Sequence, residues 1–133
     1  MDLGTTQPLL EISVAAPIKA GIHRLRLSDH GVRLAPGVAY RWYVAVVPDP
    51  GRRSRDILAG GAIQRVNQSP EMVARLGQAR REELPSIYAE AGLWYDALTS
   101  MSELIESAPD DAALRRQRAA LLTQIGLPII AER

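Results

Sequence analysis

Three arginines crowd into one short segment, Arg52, Arg53 and Arg55 within Asp49 to Asp56 (DPGRRSRD). Guanidinium groups at that density suit bidentate capture of a carboxylate or a phosphate. The competing reading is a solvated turn whose charges keep the end of a sheet soluble. Ser54 sits among these arginines with no base near it in sequence. His23 and His30 are the only histidines, and His23 shares an alternating face with Leu25 and Leu27. A histidine satisfied by its fold fits that pattern better than a metal ligand. Glu90, Asp96, Glu103 and Glu106 fall where the wet face of a helix is expected. Asp110-Asp111 reads as a helix cap and not a metal pair.

The chain has no cysteine, which removes disulfides, thiolate catalysis and Cys-based zinc sites. It carries no HExxH, no P-loop and no glycine-rich dinucleotide fingerprint after a strand. We therefore expect no enzyme activity, no cofactor and no metal. Net charge is +1, split into nine Lys and Arg against five Asp and Glu in residues 1–68, and seven against ten in residues 69–133. That polarity is too small for a nucleic-acid binder. No apolar run approaches the roughly 20 residues of a membrane span. Nor does the chain begin with a signal-peptide pattern.

The elements that must position these residues change character midway. In the first half apolar residues recur with period two. Leu10, Ile12 and Val14 predict one strand, and Leu25 with Leu27 a second, before the Asp29-His30-Gly31 turn. Val38 to Val47 predicts the longest strand, with Tyr40, Trp42, Val44 and Val46 on one face. Ile57 to Val66 predicts a fourth, where Gly60-Gly61 signals a bulge or a close approach of backbone. From Ser69-Pro70 onward the period becomes 3.6, with Ser69 as a cap and Pro70 in the first turn. Met72, Val73, Leu76 and Ala79 mark one helix. Ile87, Tyr88 and Ala91 mark a second after Pro85, ending at Gly92. A third stripe runs from Trp94 through Ala97, Leu98, Met101, Leu104 and Ile105 to Pro109. Leu114, Arg118, Leu121, Leu122 and Ile125 mark a fourth.

Two constellations are structural. Leu34, Pro36, Gly37 and Tyr40, followed by Trp42, resemble the tyrosine corner of immunoglobulin-like and fibronectin type III sandwiches. There the hydroxyl bonds backbone a few residues upstream. An ordinary turn before a strand that happens to begin with Tyr is the competing reading. Tyr88, Gly92, Trp94, Ala97 and Pro109 are spaced as in one tetratricopeptide unit of about 34 residues, with Pro85 departing from that pattern. A generic helical hairpin explains the same residues.

Residues AGIHRLRLSDHGVRLAPGVAYRWYVAVVPDPGRRSRDILAGGAIQRV, followed by ELPSIYAEAGLWYDAL, resemble the bacterial domain of unknown function 928 family. The resemblance runs from about Pro8 to Leu127. It is most specific at Tyr40–Trp42, the Arg loop, the Gly-Gly strand and the AEAGLWYDAL helix. Ala62 stands where the family pattern implies Trp. The resemblance implies export to the periplasm or cell surface, no known activity, and further N-terminal strands that this chain lacks. The expected fold is α+β: a partial immunoglobulin-like antiparallel unit over 1–68, then a tetratricopeptide-like helical segment over 69–133. The expected function is protein–protein interaction or scaffolding, with anion binding by the Arg loop as the alternative. Because only four strands precede the helices, we expect an open sheet edge that pairs with a second copy through residues 9–14.

Overall fold

A computed structural model describes residues 8–14 and 21–127. The fold is α+β, an antiparallel two-stranded sheet followed by four helices. Strands β1 (Ala39–Val46) and β2 (Ile57–Gln64) pair from Ala39 opposite Gln64 to Val46 opposite Ile57. Helices α1 (Pro70–Gln78), α2 (Leu84–Glu90), α3 (Trp94–Ser107) and α4 (Ala112–Gln124) follow. The described chain divides into two compact units. One holds residues 8–14 and 25–67, the other residues 21–24 and 68–127.

The two strands expected nearest the N-terminus are not strands. Leu27 to His30 forms a 3-10 turn closed by Gly31, whose φ of 68° is left-handed. Two alternating leucines are a short signal, and the Ser-Asp-His-Gly turn chemistry overrides it. Residues 10–14 join no ladder among the described residues, and Ile12 and Val14 are exposed. The edge that we expected to pair through residues 9–14 is therefore not there as a strand. Alternation prepares a strand for a half-buried place, but only a partner strand supplies its hydrogen bonds. Aromatic and β-branched residues make β1 a strong strand former, and β2 gives it that partner.

The helical unit is organised around α3. Pro85 and Ile87 from α2, Ala97, Met101, Leu104 and Ile105 from α3, and Leu122 from α4 are buried. Each large aliphatic side chain removed from water contributes roughly 1.5–3 kcal/mol. Ala97 is 0% exposed and sits on the α3 face that meets its neighbours. Pro85 is tolerated because it lies in the first turn of α2, where its missing N–H has no helical acceptor. Gly92, with φ 76°, reverses the chain between α2 and α3. Ser69 caps α1 by accepting the Met72 N–H at 3.1 Å, and Asp111, rather than Asp110, caps α4 by accepting the Ala113 N–H at 3.0 Å. The stripe expected along α1 is only partly covered, for α1 has no buried residue and Val73 is 54% exposed.

Candidate functional site

The β hairpin presents the largest run of uncovered apolar side chains on the described chain. Val44, Val46, Ile57 and Leu58 are exposed, the last two by 64% and 66%. Ile57 and Leu58 are consecutive in a strand and so point to opposite faces. Both faces of the loop-proximal half are therefore apolar and wet. Between Trp42 and Val47, and between Ile57 and Gln64, no residue is charged.

The Gly60-Gly61 pair makes no bulge, since the register stays one-to-one through Tyr43 opposite Gly60 and Trp42 opposite Gly61. The close approach is made by rings. A Cβ at Gly61 would lie 2.8 Å from Cζ2 of Trp42, and one at Gly60 would lie 2.8 Å from Cδ1 of Tyr43 and from the Trp42 carbonyl oxygen. One aromatic thus folds over β2 on each face, filling the place of the missing side chains. Ala62 lies opposite Arg41.

The base of the hairpin is held by several hydrogen bonds. Tyr40 is 6% exposed, and its hydroxyl accepts the Ala35 N–H at 3.0 Å. Gly37, with φ 77°, donates its N–H to the Arg65 carbonyl at 2.8 Å. The Arg65 guanidinium donates to the Leu34 carbonyl at 3.3 Å, and Pro36 bridges Arg65. Leu34, Pro36, Gly37 and Tyr40 therefore lie together at the base of the hairpin. Trp42, on the same strand face as Tyr40, is 38% exposed.

At the other end of the hairpin lies the Arg loop. Asp49 accepts the Gly51 N–H at 2.9 Å on its carboxylate. Its carbonyl accepts the Arg52 N–H at 3.0 Å. A 3-10 turn, Arg53–Arg55, follows. Arg53 is spoken for: its Nε donates to Asp56 Oδ2 at 2.7 Å, and the Asp56 side chain is only 10% exposed. The second Asp56 oxygen is buried without a hydrogen-bond partner among the described residues. Arg52 and Arg55 stand one 3-10 turn apart, joined by the Arg55 N–H to the Arg52 carbonyl at 3.0 Å. Both are exposed, and neither makes an ion pair among the described residues. The sequence marked three equivalent arginines; the fold pairs one of them with Asp56 and leaves two without an ion pair among the described residues. Across the described part of this unit seven arginines stand against four carboxylates.

The helical unit carries a separate polar cluster that sequence reading passed over as a wet helix face. Arg24 reaches α3, with Nη2 3.2 Å from Glu106 Oε2 and Nη1 3.5 Å from Glu103 Oε1. Nearby, burial raises the Tyr88 phenol above its ordinary value, helped by the negative charges of Asp96 and Glu103. Burial also raises the Asp96 carboxyl. This cluster ties residues 21–24 to α3 and, among the described residues, holds no nucleophile beside a base. An open groove of about 520 Å³ runs between α1 and α2, lined by Arg75, Gln78, Glu82, Glu83, Ser86 and Ile87. Arg75 crosses it to Glu90 at 2.8 Å. Gly92, Trp94, Ala97 and Pro109 all lie along the α2–α3 hairpin and its exit.

Residues 2–133 match the family model described as Domain of Unknown Function (DUF928). The chain belongs to that family. No curated protein and no solved structure matches it significantly. No helix among the described residues is long and apolar enough to cross a membrane.

Proposed function

We propose that this chain is a non-catalytic interaction and scaffolding module. The observation that carries the reading is the hairpin: Ile57 and Leu58, on opposite faces, are each almost two-thirds exposed in a strand without charge. Uncovered apolar surface of this extent marks a binding surface more often than an accident of folding. The amphipathic α1, which leaves Val73 exposed and lines an open groove with Arg75 and Gln78, offers a second surface suited to a protein partner. We read the β unit as a partial immunoglobulin-like unit with its tyrosine corner at Tyr40, and α2–α3 as a tetratricopeptide-like hairpin. Burial of Tyr40 with its bond to Ala35, and Ala97 at the helix seam, support those readings. Export to the periplasm or cell surface belongs to the same proposal and rests on family membership.

The test is a photo-crosslinking residue placed at Leu58 or at Val73 in the native host. Discrete protein adducts at either position are expected. Their absence at both positions would overturn the reading.

Two finer readings follow specific observations. A two-fold dimer through the β unit is a second reading that the exposed hairpin faces allow, opposed by the net positive charge of that unit. Anion binding by the loop, through Arg52, Arg53 and Arg55, is favoured by Arg52 and Arg55 having no ion pair among the described residues and by the exposed side chain of Arg53, whose Nε alone is bonded to Asp56.

A further inference from the structure

The geometry points to an anionic lipid surface as the partner of the hairpin. The inference rests on the hairpin being an interaction surface and names what it meets there.

Two observations coincide at one end of the sheet. The first is apolar exposure on both faces, by Val44, Val46 and Ile57 on one and Leu58 on the other. A folded partner presents one shaped wall and covers one face. A fluid lipid interface conforms to both, taking apolar side chains to a depth of about 5–10 Å. The second is the pair Arg52 and Arg55, one turn apart on the loop next to those side chains and without ion pairs among the described residues. Arg53 is paired to Asp56 through its Nε at 2.7 Å, within the same turn. Guanidinium groups bind phosphodiester oxygens in bidentate fashion, and the long stems of arginine let the charge stay among headgroups while neighbouring carbon is buried.

Charge decides between a lipid surface and a second copy of the hairpin. Seven arginines against four carboxylates make the described β unit net positive. Two such units repel when brought together, whereas a bilayer containing anionic lipid attracts them. Tyr43 and Trp42, folded over the glycine pair, stand next along the strands from the apolar end. Aromatic residues favour the level where acyl chains give way to headgroups.

The experiment is vesicle flotation of the purified full chain. One set of vesicles is phosphatidylcholine alone, and the other is phosphatidylcholine mixed with phosphatidylglycerol. We expect flotation with the mixed vesicles only, reversed by high salt. Arg52→Gln with Arg55→Gln should weaken it by about tenfold or more. Ile57→Ser with Leu58→Ser should do likewise, while Arg115→Gln with Arg116→Gln on α4 should leave it unchanged. The arginine variant keeps the test decisive if the strand variant fails to fold. Flotation with neither vesicle overturns the proposal, as does equal flotation with both. A dimer in sedimentation that floats with neither assigns the hairpin to a second copy instead. Protein adducts at Leu58 or Val73 without flotation leave the module reading standing and sink the lipid one.

Discussion

The indole of Trp42 lies across the backbone of Gly61, its partner in the opposite strand, so closely that a Cβ there would stand 2.8 Å from Cζ2. Tyr43 does the same to Gly60 on the other face, where the Trp42 carbonyl oxygen also lies 2.8 Å from the position of a Cβ. A ring can tilt away at modest cost, but a carbonyl held in the ladder cannot. Gly60→Ala should therefore destabilise more than Gly61→Ala, with about 1–3 kcal/mol for the former. Urea denaturation followed by tryptophan fluorescence checks the order; equal and negligible losses would show that the rings do not depend on the glycines.

Tyr40→Phe removes the acceptor of the Ala35 N–H and leaves that group part-buried without its partner. The expected cost is about 1 kcal/mol or somewhat more. Thermal melts of the two proteins measure it. An unchanged midpoint would mean that the bond does not anchor the turn.

Ala97 has no exposed surface, and its face of α3 has no room for three more carbon atoms. Ala97→Leu should cost about 1–3 kcal/mol by forcing neighbouring side chains off their rotamers. Ala97→Gly should also destabilise, by about 1 kcal/mol, through helix propensity. The signature is loss in both directions, read by equilibrium denaturation.

The Tyr88 phenol is raised above its ordinary value by burial first, then by Asp96 and Glu103. In the folded chain it therefore keeps its proton at a pH where the unfolded chain would release it. Its contribution is complete below the unfolded value near 10 and falls as pH rises through that value towards the folded one. Alkaline denaturation should thus be less steep in Tyr88→Phe. A spectrophotometric titration should show one of the four tyrosines ionising late in the wild type and absent from the late phase in the variant.

Local chemistry was enough, from sequence alone, to place the helices and the hairpin. Ser69 ahead of Pro70, Pro85, Gly92 and Pro109 each set a helix end through the backbone groups they supply or lack, and those ends depend on neighbours in sequence. Tyr40 with Pro36 and Gly37 announced its own turn for the same reason. Three matters waited for the tertiary structure. Leu10 to Val14 and Leu25 with Leu27 alternate like strands, but a strand exists only where a partner completes its hydrogen bonds, and alternation says nothing about whether one is present. Arg52, Arg53 and Arg55 are indistinguishable as letters, and only the turn that brings Asp56 to Arg53 at 2.7 Å separates the arginine that is paired from the two that are not. Arg24 lies about eighty residues from Glu103 and Glu106, so its tie to α3 is a long-range contact that no local pattern encodes.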